Sequence, residues 1–400
     1  MRPIYLDYNA TTPLAPEVAR AMNDCHAVGY ANPASLHTPG RHARRVLEEA
    51  RDVIVRLLDA DASRLRGDRV VFTSGGTEAN NLALFGLAGD SPGHVIISAI
   101  EHPSIVGAAE QLARCGWRVD RLGVSSDGVV KVAQLDELLR PDTRLVSVML
   151  ANNETGALQP VAEIAQRCRK AGVLVHTDAV QVAGKLPLSF RELGVDAMTV
   201  TAHKLHGPVG IGALVVRDGV SPQPQMFGGF QQEATRPGTE SVALAVGFRA
   251  ALELAECDRA ETAKRLTSLR DRFEQRLLAS GHHVVVNASG ASRLPHTSNV
   301  AFVGMNRQAM MIALDLAGVA CSTGSACASG STDASPTLVA MGLAGDVVES
   351  SLRFSLGRYT TAEDVDAAVE KIVRILGVSE GEKRMGIVPS QGRIRAANSI

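Results

Sequence analysis

Between about residues 40 and 216 the chain alternates two hydrophobic periods. The stretch RHARRVLEEARDVIVRLL (41–58) repeats apolar positions every three or four residues, the spacing of one helix face. Short continuous apolar runs follow: VVFTS (70–74), HVIIS (94–98), LVSVML (145–150), VLVHTD (173–178), AMTVT (197–201) and IGALVV (211–216). They predict buried strands, with helical patterns such as HPSIVGAAEQLARCG and PVAEIAQRCRKAG between them. Strand, helix and strand in repetition predict an α/β fold, a mostly parallel sheet covered by helices on both faces. In such sheets ligands sit beyond the carboxyl ends of the strands, so functional residues are to be sought there.

Past DGVSPQPQMFGGFQQEATRPGTES the pattern changes. One long helix is predicted over about 241–278, followed by strands in HVVVN, TSNVAFV and SLRFSLG and helices in NRQAMMIALDLAG and TAEDVDAAVEKIVRIL. This predicts a smaller α+β domain beginning near residue 257. The closing EGEKRMGIVPSQGRIRAANSI mixes charge, Gly and Pro without a period and reads as a frayed tail.

Composition excludes some function classes. Forty-one Lys and Arg balance 42 Asp and Glu, a net charge of −1, so no basic excess argues for nucleic acid. No apolar run approaches the roughly 18 residues of a membrane span. The N-terminal MRPIYLDYNATTPLAPEV lacks the apolar core and cleavage site of a targeting peptide and reads as part of the fold. Six cysteines without CxxC spacing suit free thiols in a reducing, cytoplasmic compartment, and Cys321 with Cys327 lacks a recognisable metal-ligand spacing.

The strand ends carry the candidate chemistry. VVFT runs into SGGTEANN, where Gly75 and Gly76 permit close backbone approach and Thr77 can open a helix. That pattern fits an anion site at a helix N-terminus, and equally a tight turn with a Thr cap. His102 follows HVIIS and precedes Pro103, a place for a capped turn residue as well as a site residue. Asn152 and Asn153 follow LVSVML as turn formers before a Gly. Asp178 closes an apolar strand, where a carboxylate is costly unless a cation or donor compensates. Gln181 can point the same way from the first turn of a following helix, and AMTVTAHK brings Thr201, His203 and Lys204 to another strand end.

An acid and an amine, each ending a buried strand, suit pyridoxal phosphate. A lysine in a partly desolvated cleft has a lowered pKa and can form a Schiff base with an aldehyde. The cofactor also needs an acid at its pyridine nitrogen and donors for its phosphate. Asp178 is the candidate acid, Gly76, Thr77, Thr201 and His203 are candidate phosphate donors, and His102 is a flat group to cover the ring.

At these residues the chain resembles the cysteine desulfurases of the NifS/IscS type, in the class V aminotransferase group with the fold-type-I pyridoxal phosphate architecture. The resemblance rests on YLDYNATTPL (5–14), NPASLHTPGR (32–41), VVFTSGGTEANNLAL (70–84), EHPS (101–104), NNETG (152–156), HTDAVQ (176–181), TAHKLHGPVGIGAL (201–214), RPGTES (236–241), STGSACAS (322–329) and SLRFSLGRYTT (351–361). It implies a large cofactor-binding domain over 16–256 with a seven-stranded sheet, and a small domain over 257–378 carrying a cysteine loop. A segment over 1–15 would pack with the small domain, and 379–400 would be a flexible tail. It also implies that Lys204 bears the cofactor, Asp178 holds the pyridine nitrogen, Gln181 meets the ring hydroxyl oxygen, and His102 stacks on the ring and moves protons. Asn153 and Arg353 would lie near the substrate carboxylate, Asn153 also by the cofactor, with Asn32 as a further substrate residue. Thr239 would reach the cofactor phosphate of a neighbouring subunit, which implies a homodimer.

The twelve residues CSTGSACASGST (321–332) hold two cysteines and no bulky apolar side chain, which predicts a mobile loop. By the resemblance, Cys327 is the nucleophile that takes sulfur from L-cysteine as a persulfide, leaves alanine, and passes the sulfur to an acceptor such as an iron–sulfur scaffold protein. Gly324 and Gly330 suit a swinging loop. No Lys, Arg or His within the loop lowers the pKa of Cys327. Cys321, ending the predicted VACS strand, reads as a buried small hydrophobe.

Overall fold

The computed structural model describes residues 3–29, 31–63, 67–324 and 334–384. Cys327, Gly330 and the chain beyond residue 384 lie outside the described residues. Twelve strands occur among the described ones: β1 (Ile4–Tyr5), β2 (Arg69–Thr73), β3 (His94–Ser98), β4 (Arg118–Leu122), β5 (Thr143–Ser147), β6 (Leu174–Asp178), β7 (Ala197–Thr201), β8 (Gly212–Val216), β9 (Val284–Val286), β10 (Thr297–Phe302), β11 (Val319–Ala320) and β12 (Ser351–Ser355).

Seven of them form one sheet in the order β2-β8-β7-β6-β5-β3-β4. The five strands β3 to β7 pair in parallel, and β8 runs antiparallel to both β7 and β2. Side chains alternate across the pleat. Phe72, Ile96, Val146, Val175, Met198 and Val215 enter one core, and Val71, Val95, Ile97, Leu145, Ala197 and Leu214 enter the other. The first core is closed by the helices Thr38–Leu57 and Val242–Cys257, the second by Gly76–Ala88 and Pro103–Arg114. Each large aliphatic side chain so buried contributes roughly 1.5–3 kcal/mol, so a strand buried on both faces reads in sequence as an unbroken apolar run. The loops after β3, β5, β6 and β7 therefore open at one edge, around the point between β3 and β5 where the strand order reverses.

A second sheet, β12-β10-β9, is antiparallel and carries its own core with the helices Arg259–Leu278, Arg307–Leu316 and Ala362–Arg384. The N-terminal strand β1 pairs in parallel with β11, Leu6 enters this smaller core, and Asp7 bridges to Ser355. No helix among the described residues is long and apolar enough to cross a membrane.

Four local expectations differ from the structure. The helix expected over 241–278 is two, because Asp258 leaves the helical region (φ −136°) while its carboxylate grips Arg358 in a bidentate pair at 2.9 and 2.6 Å. No helix directly follows β6; the helix before β7 is only the single turn Phe190–Leu193. Residues 180–185 form consecutive turns, since Gly184 adopts φ +70° and Pro187 follows. Strand β4 has no apolar run to announce it: it is an edge strand with Arg118 and Arg121 exposed. The last helix continues to Arg384, past the expected start of the tail at 379.

Candidate active site

Asp178 is the last residue of β6 and is buried. Its Oδ2 accepts from Asn80 Nδ2 at 2.7 Å and its Oδ1 from the Val180 amide at 2.9 Å. His102 caps the helix Pro103–Arg114, with Nδ1 accepting from the Ser104 amide at 3.1 Å and lying 2.7 Å from Ser104 Oγ. Since Ser104 Oγ itself accepts from Asn80 Nδ2 at 2.8 Å, its proton points to His102. Two donors on Nδ1 place the proton of the neutral ring on Nε2. Burial pushes the imidazole below its ordinary value; the Asp178 carboxylate opposes this shift, and Lys204 and Arg353 reinforce it. Burial is the largest of these effects and keeps the His102 ring neutral, while three charges of opposing sign act on it.

Lys204 follows β7 in the short turn Ala202–Lys204, and its Nζ donates to the carbonyls of Asn9 and Ala10, both at 2.6 Å. Asn9 is a junction. Its carbonyl also accepts from Gln181 Nε2 at 3.1 Å, its amide reaches the Asn153 carbonyl and Thr297, and its Oδ1 meets His296 Nε2 at 2.8 Å. Gln181 Oε1 in turn accepts from Lys185 Nζ at 3.2 Å. Burial and the nearby Lys204 charge lower Lys185 to about 7. His203 contacts Thr11 Oγ1 at 3.1 Å and falls to about 4 through burial, Lys204 and Lys185.

Arg353, from the middle of β12, is fully buried. It pairs with Asp7 at 2.6 Å and donates to the Asn153 carbonyl at 3.1 Å, and its Nε has no partner among the described residues. Asn152 acts as the expected turn former, its Oδ1 accepting from the Glu154 and Thr155 amides at 2.9 Å each.

His102, Asp178, Lys204, Gln181, His203, Asn153 and Arg353 thus belong to one connected neighbourhood. Thr201 does not offer its hydroxyl there; it donates to the Ile211 carbonyl at 3.1 Å. Gly76 begins its helix after Gly75, with no side-chain cap among the described residues, so the Thr-cap reading fails and Thr77 stands exposed in the first turn. Gly212 shows why glycine is needed opposite this turn: a Cβ on it would meet the Gly75 backbone at 2.7 Å. Asn32 is exposed and caps its own turn by accepting from the Ala34 amide at 2.9 Å, and Thr239 is exposed beside Glu240. Cys321 is half-buried rather than buried, its thiol pushed up to about 12 by burial.

Three residues of the site carry no role in the sequence reading. Asn80 lies four positions after Gly76, a polar residue amid the apolar face of its helix, and that periodicity was a usable signal. Asn9 gave none beyond its place in YLDYNATTPL. Glu101 is buried beside His102, accepts from the Met149 amide at 2.8 Å, and is driven up to about 8 chiefly by burial.

The class-V aminotransferase family model matches residues 4–368. The chain is 39% identical over 378 residues to the cysteine desulfurase IscS of Dictyoglomus turgidum, covering 94% of this chain and 95% of that one. Among solved structures, a NifS-like protein superposes with a TM-score of 0.86 at 34% identity, covering 94% of this chain and 100% of that chain. SspA in complex with cysteine superposes with a TM-score of 0.77 at 31% identity, covering 89% and 99%. The chain belongs to the class-V aminotransferase family, and its α/β architecture is that of the NifS-like proteins.

Proposed function

We propose that the protein is a pyridoxal phosphate-dependent cysteine desulfurase, converting L-cysteine to L-alanine with its sulfur retained as a persulfide on Cys327. The observation that carries the reading is the gathering of Asp178, His102 and Lys204 at the strand ends of the large sheet, with Arg353 of the second sheet acting on the same imidazole, in a chain that matches a cysteine desulfurase over nearly its full length. A relative solved with cysteine bound supports the substrate.

The donor set fits the cofactor. A buried carboxylate with a donor on each oxygen suits a protonated ring nitrogen, and the Lys204 amine suits an aldehyde. His102 would cover the ring, Gln181 would face its hydroxyl oxygen, and the Gly76–Thr77 helix start with His203 would meet the phosphate, joined by Thr239 of a second copy in a homodimer. Pyridoxal phosphate supplies an electron-withdrawing ring that stabilises negative charge at the substrate α-carbon.

The chain's own groups do the rest. Arg353, with Asn153 and Asn32, holds the substrate carboxylate and fixes its orientation. Lys204, once released, moves the α-proton, with the Asn9 and Ala10 carbonyls as a resting place for its ammonium. His102, neutral and protonated on Nε2, handles the proton near sulfur. The Cys327 thiolate bonds to the substrate sulfur as the carbon–sulfur bond breaks; the electron pair stays on carbon and is protonated, so no external oxidant or reductant enters. A sulfur acceptor, such as an iron–sulfur scaffold protein, would then take the atom. The five described cysteines are all free thiols, which supports a reducing, cytoplasmic setting.

Incubation with L-cysteine and the cofactor should yield alanine, and mass spectrometry should find added sulfur on the peptide bearing Cys327. Alanine at the wild-type rate from Cys327→Ser would refute the persulfide route.

A further inference from the structure

Lys185 is a second amine beside Lys204 that the proposed chemistry leaves unused. It lines a cavity of about 50 Å³ between the two cores, bounded by Leu205 of the larger and by Leu266 and Leu356 of the smaller, with Lys204 in the same wall. The backbone fixes its place there. Gly184 has φ +70°, and a Cβ on it would meet that of Ala255 at 2.8 Å, so the turn lies close against the helix Val242–Cys257. The Lys185 amide donates to the Val182 carbonyl at 2.9 Å and closes the turn.

The buried Gln181 amide is gripped at both ends. Its Oε1 accepts from Lys185 Nζ at 3.2 Å, and its Nε2 donates to the Asn9 carbonyl at 3.1 Å, the same carbonyl that takes Lys204 Nζ at 2.6 Å. An ammonium only donates and a carbonyl only accepts, so the two contacts together admit one orientation of the amide, oxygen to Lys185 and nitrogen to Asn9. The second N–H of Nε2 has no acceptor among the described residues.

We propose that Lys185 is a positioning residue that fixes the Gln181 amide, so that its remaining N–H is presented to the ring oxygen of the cofactor. This rests on the reading of Gln181 and Lys204 as residues that meet the cofactor.

Without a donor at Oε1 the amide keeps one hold, on Asn9, and can turn about it. A donated hydrogen bond favours the ionised form of an oxygen, so its loss moves the titration of the bound cofactor upward. The groups facing Lys185 are Lys204, His203 and His206 from the segment after β7, His296 before β10, and Asp258 with Arg358 across the cavity. Burial keeps the three imidazoles neutral, and Asp258 is held by Arg358. The Lys185 charge also acts on Lys204 through space, and in the same direction. An effect carried by the amide needs Gln181; a through-space effect does not.

The test uses holoenzyme of wild type, Lys185→Met, Gln181→Leu and the double variant. Two quantities are read: the pH midpoint of the visible absorbance of the lysine-bound cofactor, and the cofactor dissociation constant from equilibrium dialysis. In Lys185→Met the midpoint should rise by about half to one pH unit and the dissociation constant by about twofold to tenfold, the range of one hydrogen bond. In the Gln181→Leu background the same substitution should move the midpoint by less than about 0.2 pH unit. Equal shifts in both backgrounds would overturn the proposal, since they mark a charge acting through space, and so would a wild-type midpoint in Lys185→Met. If Lys185→Met fails to fold, Lys185→Ala is read by the same criteria, alone and with Gln181→Leu. Failure of the underlying reading looks different. A wild type that binds no coloured cofactor removes Lys204 from its role, and a wild-type midpoint in Gln181→Leu removes Gln181 from the ring oxygen. A shifted Gln181→Leu beside an unmoved Lys185→Met refutes only the role of Lys185.

Discussion

Asn80 and Asp178 stand 98 positions apart in sequence, and the amide of the first donates to the carboxylate of the second over 2.7 Å. The same amide nitrogen reaches Ser104 Oγ, which contacts His102 Nδ1. One buried side chain thereby links the acid of the site to the orientation of its imidazole.

Replacing Asn80 by Ala leaves a buried carboxylate oxygen and a buried hydroxyl short of a donor. An unsatisfied buried group of this kind costs about 1–3 kcal/mol. Thermal unfolding of the apoprotein should show that loss, and titration should show weaker cofactor binding. Unchanged stability and affinity would remove Asn80 from the network.

Lys204→Ala should fold, since removing a side chain anchored to main-chain carbonyls leaves the turn in place. It should lose the visible absorbance of the lysine-bound cofactor and all turnover. Retained colour in the purified variant would show that another amine holds the cofactor.

Glu101 sets a pH dependence. Its carboxyl titrates near 8 in the folded chain against an ordinary 4.5, mainly through burial. Between those values the folded state holds a proton that the unfolded state has released. Its contribution to stability is therefore complete below about 4.5 and is lost as pH rises towards 8, at up to about 1.4 kcal/mol per pH unit. Glu101→Gln keeps an acceptor for Ser98 and Met149 and cannot ionise. Relative to wild type it should gain stability from pH 5 to 8 in denaturant melts; parallel curves would contradict the burial argument.

Lys185 should act in the opposite sense. Its amine titrates near 7 rather than 10.5 because of burial and the Lys204 charge, so over that interval the unfolded state binds the extra proton. Stability from this group rises with pH between about 7 and 10.5. Lys185→Met should flatten that rise and stabilise the apoprotein more at pH 6.5 than at pH 9.5. Equal gains at both values would show that the amine is solvated.

Much of the fold was legible because its signals are local. HVIIS and AMTVT coincide with β3 and β7 residue for residue, since a strand buried on both faces must be apolar throughout. Arg118–Leu122 was not, because an edge strand keeps charges on its open side. The turn after Asp178 was read as helix for the same reason in reverse: Ala, Val and Gln permit a helix, and only Gly184 with Pro187 breaks it.

By itself the sequence determined which residue types end the strands, and with them an acid, an imidazole and an amine for the site. Only the tertiary structure decided what holds those groups. Asn9 beneath Lys204, Asn80 beside Asp178, and Asp258 with Arg358 all join elements distant in the chain. Periodicity reports the face a residue turns to the core. A hydrogen bond between two polar side chains depends on how whole elements pack, which no local pattern records.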